Sequence, residues 1–103
     1  MRVNSLNEII VILKNQKELY REFHIKKIGV FGSFARNEQT PNSDVDILFE
    51  YDDDTRAIGL FALARLRRKL VNIFGREVDL VTTGSLKGFI GDVILKEVIY
   101  IDF

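Results

Sequence analysis

The chain has 103 residues, with 15 Lys+Arg against 15 Asp+Glu and a formal net charge of zero. That length predicts one domain over residues 1–103. A hydrophobic share of 47% with 29% charged residues is ordinary for a globular protein and excludes a disordered chain. There is no Cys and a single His, so disulfides, zinc–thiolate centres, thiol catalysis and paired catalytic histidines are all excluded. Any metal must therefore be a hard cation on carboxylate oxygens. The balanced charge argues against coating of nucleic acid, and no direct nucleic-acid binding is expected. No apolar run approaches a membrane span, and Met1–Glu8 lacks the layout of a signal peptide. No membrane contact and a cytoplasmic location are the expectations.

The first element is a helix. Ser5 and Glu8 form a capping box, and Leu6, Ile9, Ile10, Leu13, Tyr20 and Phe23 fall on one face at helical spacing. The pattern predicts a single helix to Arg21 or Glu22. Ile28–Phe31 reads as a short buried strand that runs into Gly32-Ser33, and Phe34-Ala35-Arg36 as one helical turn. The polar stretch Asn37–Ser43, with the only proline at Pro41, is a loop. In Val45–Tyr51, Val45, Ile47, Phe49 and Tyr51 alternate with Asp44, Asp46, Leu48 and Glu50, which predicts a strand with carboxylates at the start of one face. Asp52-Asp53-Asp54 ends it as a solvated turn.

A second long helix is predicted from Ala57 to Phe74, with Gly75 as its C-cap. Leu60, Leu63, Ala64, Leu66, Leu70, Val71 and Phe74 share its apolar face, and Arg67 interrupts that stripe, either extending to solvent or pairing with a carboxylate. The basic run Arg65, Arg67, Arg68 and Lys69 reads chiefly as a solvated face. Glu77–Thr82 predicts a third strand, Ser85–Lys96 a helix weakened by Gly88 and Gly91, and Val98–Ile101 a last short strand. The order implies an α/β (α+β) fold, a small mixed β-sheet flanked by helices.

Three features of this layout carry chemistry. Gly32-Ser33 stands where a strand becomes a helical turn, a place where backbone comes close to a ligand and free N–H groups favour an anion. Asp44 and Asp46 are two apart on a strand, so they project to one face with Cα atoms roughly 6.5–7 Å apart. Asp79 puts a charge into the apolar run Val78–Val81, which is costly unless the group is paired or metal-bound. If the two strands are neighbours, three carboxylates meet, and a divalent cation relieves their repulsion. Each feature alone is more often an ordinary turn or a polar strand start. A Gly-Ser pair followed after ten residues by Asp-x-Asp arises by chance on the order of 10⁻³ in a chain this long, which favours the joint reading. His24 lies outside the cluster and reads as a helix-end residue, and Phe31 and Phe34 read as core.

These motifs, Gly32-Ser33-Phe34-Ala35-Arg36, Ser43-Asp44-Val45-Asp46-Ile47-Leu48 and Val78-Asp79-Leu80-Val81, resemble the nucleotidyltransferase superfamily of DNA polymerase β type. More closely, the chain resembles the minimal nucleotidyltransferase (MNT) antitoxins of HEPN/MNT toxin–antitoxin pairs. Asn37 stands where the family's turn usually has Gly, and Asn tolerates a left-handed backbone. The resemblance implies a polymerase β-like nucleotidyltransferase fold and Mg²⁺-dependent transfer of AMP from ATP to a hydroxyl, a tyrosine first, of a HEPN-type toxin. It implies that Asp44, Asp46 and Asp79 hold two Mg²⁺ ions and carry catalysis, with Asp79 on the acceptor side. It also implies that Gly32 and Ser33 hold the triphosphate, with Arg36 and Ser43 as further contacts. A homo-oligomer, or a hetero-oligomer with the toxin, fits the same picture. The alternatives are a binding-only antitoxin and a nucleotidyltransferase acting on a small molecule such as an antibiotic; the latter usually needs a second domain to grip its acceptor, for which 103 residues leave little room.

Overall fold

The computed structural model describes residues 1–52 and 59–103. Helix α1 spans Leu6–Lys14, α2 Lys17–Glu22, strand β1 Ile25–Phe31, the short turn α3 Gly32–Ala35, β2 Val45–Tyr51, α4 Gly59–Phe74, β3 Val78–Thr82, α5 Gly88–Glu97 and β4 Ile99–Tyr100. A 3₁₀ turn, Thr83–Ser85, links β3 to α5. The sheet order is β3-β2-β1-β4. β1 pairs antiparallel with β2 and β4, while β2 and β3 run parallel through the α4 crossover. The expected mixed sheet with flanking helices is what the chain builds.

The predicted first helix is broken in two. Ser5 caps α1 as expected, its hydroxyl accepting from the Glu8 N–H at 3.2 Å. Asn15 then ends α1: its backbone N–H donates to the Ile12 carbonyl and its side-chain Nδ2 to the Val11 carbonyl at 2.8 Å. Local hydrogen bonding by Asn competes with helix continuation, a signal the apolar spacing alone hides. The stripe survives the break, because Ile9, Leu13, Tyr20 and Phe23 are all buried in one core.

Two other boundaries shift by three residues. β1 begins three residues earlier, at Ile25, where β-branched Ile25 is buried opposite Tyr51. The last helix starts at Gly88 rather than Ser85, because Ser85 closes the 3₁₀ turn by donating its hydroxyl to the Thr82 carbonyl at 2.9 Å. The predicted start of the second helix at Ala57, and Asp53 and Asp54 of the acidic turn, lie outside the described residues. Within α4 the buried positions are Leu66, Leu70 and Phe74, whereas Leu60, expected on that face, is 77% exposed. Gly75 ends the helix as its left-handed cap, with φ +69°.

The sheet has two unlike faces. Val45, Ile47, Phe49, Ile28 and Val30 belong to the main core, closed by α1, α2 and α4. On the other face Leu48 and Phe31 pack with Ile94 of α5 in a smaller cluster. Leu48 is thus fully buried between Asp46 and Glu50, so the face that starts with carboxylates becomes apolar within two residues.

Candidate active site

Register brings the acidic residues together. Asp46 of β2 pairs with Asp79 of parallel β3, and residues paired in register on parallel strands point to the same side. Asp44 precedes β2 by one residue, two before Asp46. On the opposite flank Asp46 pairs with Phe31, the last residue of β1, so the chain turns at Gly32 directly beside it.

Gly32 is required there for two reasons. Its φ is +72°, in the left-handed region, and a Cβ on it would lie 2.0 Å from Asp46 Oδ2. The carboxylate therefore occupies the space a side chain would take. Asn37 is also left-handed, φ 58°, so the turn that follows forms despite the missing glycine.

Asp46 is half-buried, and its pKa is pushed up to about 6. Burial is the largest cause, followed by the charges of Asp79, Asp44 and Glu97, with Arg36 opposing them. Among the described residues no three acidic or His side chains stand as a closed metal-holding group. The donor set nevertheless suits a hard cation, being oxygen only, and it holds a carboxylate whose ionisation is opposed by burial and by three neighbouring negative charges.

The remaining expected residues divide. Ser33 is half-buried in the turn, its carbonyl accepting from the Glu38 N–H at 2.9 Å. Arg36 donates to Glu97 Oε2 at 2.8 Å and stands 3.5 Å from Glu38. Ser43 is engaged in its own loop: its Oγ accepts from the Thr40 N–H at 2.8 Å. Phe34 is fully buried and Phe31 nearly so, as expected of core residues. Exposed His24 ends α2 away from the cluster. Arg67 resolves as a carboxylate pair, with NH2 2.6 Å from Glu77 Oε2 and Nε donating to the Val78 carbonyl at 3.0 Å.

Two residues escape a reading of the sequence. Arg76, only 6% exposed, donates to the carbonyls of Val3 (2.6 Å), Thr40 (3.2 Å), Pro41 (3.3 Å) and Ser43 (2.9 Å), and to Asn4 Oδ1 at 3.1 Å. It ties the loop that delivers Asp44 to the N-terminal segment, and a lone Arg after a helix cap carries no sequence signal of that role. Glu97 of α5 bridges the Gly32 N–H and Arg36. A cleft of about 510 Å³ opens between α5 and this face, bordered by Gly32, Asp46, Asp79, Leu86, Ile94 and Glu97.

The model of the nucleotidyltransferase domain matches residues 9–101. The chain belongs to the nucleotidyltransferase family. Protein adenylyltransferase MntA of Thermococcus cleftensis is 39% identical over 102 residues, covering 98% of this chain and 100% of that relative. Among solved structures, a toxin–antitoxin with AMP-PNP superposes with TM-score 0.69 at 28% identity, over 92% of this chain and 72% of the other. A solved chain assigned to the minimal nucleotidyltransferases superposes with TM-score 0.74 at 27% identity, over 93% and 95%. The chain is thus a nucleotidyltransferase related to MntA-type protein adenylyltransferases, with the mixed sheet of the minimal members. Among the described residues no helix is long and apolar enough to cross a membrane.

Proposed function

We propose that the protein transfers AMP from ATP to a tyrosine hydroxyl of a HEPN-type toxin in a Mg²⁺-dependent reaction, and acts as its antitoxin. The observation that carries this reading is the in-register pair Asp46–Asp79 facing the Gly32 turn, where the absent side chain leaves the space that the Asp46 carboxylate fills. The relative named protein adenylyltransferase supports a protein acceptor, and the toxin–antitoxin with AMP-PNP supports an adenine nucleotide and a toxin partner.

Asp44, Asp46 and Asp79 would hold Mg²⁺, with Asp79 toward the acceptor. Such ions would supply charge neutralisation at the triphosphate and at the attacking oxygen. The chain's own groups do the rest. The Gly32–Ser33 backbone, the Ser33 hydroxyl, Arg36 and Ser43 bind and orient the triphosphate. The tyrosine oxygen attacks the α-phosphorus, its bond forms as the bond to the β-phosphate oxygen breaks, and pyrophosphate leaves. Asp79 accepts the hydroxyl proton on its carboxylate. A phenol suits this arrangement because its pKa near 10 lies far below that of an aliphatic alcohol. Positioning and charge neutralisation dominate such transfers.

Label transfer tests the reaction class. The protein is incubated with Mg²⁺, a HEPN-type toxin as candidate acceptor, and ATP labelled at the α- or the γ-phosphate. Label on the partner from α-labelled ATP alone is expected. Label from the γ-position, or transfer of α-label only to small molecules, contradicts the proposal.

A further inference from the structure

Glu97 is the last residue of α5. A carboxylate at a helix C-terminus is disfavoured by the helix dipole, and here it also sits among like charges, since it opposes ionisation of Asp46. Its placement is nonetheless well defined. Oε1 accepts from the Gly32 N–H at 2.9 Å, and Oε2 accepts from Arg36 NH1 at 2.8 Å. The side chain is 18% exposed. Both of its oxygens are therefore committed to two of the donors that the Gly32 turn offers an incoming anion, one backbone and one guanidinium, in the bidentate manner of a phosphate.

We infer that Glu97 is an affinity- and specificity-setting residue whose carboxylate holds the position of a triphosphate group and is displaced when the nucleotide binds. The inference rests on the reading of the Gly32 turn as the phosphate site. A phosphate and the Glu97 carboxylate compete for the same N–H and the same guanidinium, so the intrinsic affinity for anions is lowered by the free energy needed to break the bridge. Small, singly held anions gain too little to displace it. A polyphosphate accompanied by a divalent cation gains contacts to the turn and to the Asp44–Asp46–Asp79 group at once, and wins. Glu97 thereby selects for the metal-bound triphosphate over other anions.

Release is local. Val98 has already left the helix, with φ −62° and ψ 136°, so the Glu97 side chain is bounded by helix on one side only. Arg36 has Glu38 3.5 Å from its Nε as a second, exposed counter-ion, so loss of Glu97 frees its NH1 for the phosphates without leaving the guanidinium unpaired.

The test uses the full chain and two probes, ATP and inorganic tripolyphosphate, each with Mg²⁺, titrated by calorimetry into the wild type and Glu97→Gln. The variant keeps an acceptor for the Gly32 N–H but removes the charge and the acceptor for Arg36. Kd is expected to fall at least threefold for both probes, and orthophosphate, expected not to bind the wild type, becomes detectable. Equal or weaker binding of both probes by a variant with a wild-type melting curve overturns the inference. A second measurement does not depend on the variant. On addition of Mg²⁺ and tripolyphosphate to the wild type, the Gly32 amide and the Glu97 carboxyl carbon are expected to shift together in NMR spectra. Binding that leaves the Glu97 carboxyl resonance in place contradicts displacement. No heat and no shift with either probe removes the phosphate site itself, and the proposed function with it.

Discussion

At the residue scale the site is defined by a carboxylate held against its own ionisation. Asp46 carries a pKa of about 6 against an ordinary value of 3.8. Between those two values the folded chain binds more protons at this group than the unfolded chain. Its stabilising contribution is therefore complete below about pH 4 and is lost as pH rises through 6. A pKa raised this far corresponds to about 3 kcal/mol, and solvent screening of a half-exposed group reduces this to about 1 kcal/mol. Asp46→Asn is thus expected to raise the melting temperature at pH 7.5 by about 4 °C in metal-free buffer and to leave it unchanged at pH 3.5. Paired melts at the two pH values check the sign. Gly32→Ala acts in the opposite direction. The left-handed backbone costs about 1–2 kcal/mol for a residue with a Cβ, and the new methyl displaces the Asp46 carboxylate. The expected outcome is a lower melting temperature together with loss of transferase activity by two orders of magnitude or more. A melting temperature lowered with activity intact would show that Asp46 tolerates displacement.

At the element scale the strands position the chemistry and one buried arginine fixes the loop between them. Arg76 supplies five hydrogen bonds to four carbonyls and an amide oxygen at the 40–43 loop and the N-terminal segment. Arg76→Ala removes the donor to the buried Val3 carbonyl and the half-buried Ser43 carbonyl, while Thr40 and Pro41 keep Ser43 N–H and Arg2 as donors, and the loss costs about 3 kcal/mol. Arg76→Lys is expected to recover little of it, because an ammonium lacks the planar fork. Denaturant unfolding of the two variants measures both numbers.

The same elements show what the sequence makes legible. β2 and β3 are readable because apolar residues alternate along them and the acids interrupt the pattern, and the Asp46–Asp79 face follows once the strands are neighbours. The division of the first helix is not, because Asn15 acts through hydrogen bonds to Val11 and Ile12 that leave the apolar period intact. Leu60 fits the wheel of α4 yet lies in its exposed first turn, since burial depends on where the core ends and not on helical phase. Arg76 and Glu97 act across 33 to 73 and 61 to 65 residues of chain respectively, and no local pattern encodes such contacts.

At the scale of the whole molecule the two sheet faces separate stability from chemistry. The large core is closed on one face by α1, α2 and α4, while the carboxylates and the Gly32 turn lie on the other, under α5 and beside the open cleft. Replacing the acids therefore leaves the core untouched, and loss of function in such a variant reports on chemistry. The most direct measurement is the intact mass of the proposed partner, a HEPN-type toxin, after incubation with this protein, ATP and Mg²⁺, run in parallel with Asp44→Asn/Asp46→Asn. The account predicts one or more AMP increments on the partner, localised to tyrosine by fragmentation, with the wild type only, while the double variant melts at or above the wild-type temperature. A partner that never gains mass, and is neutralised equally well by the folded double variant, would contradict it and leave contact alone as the means of neutralisation.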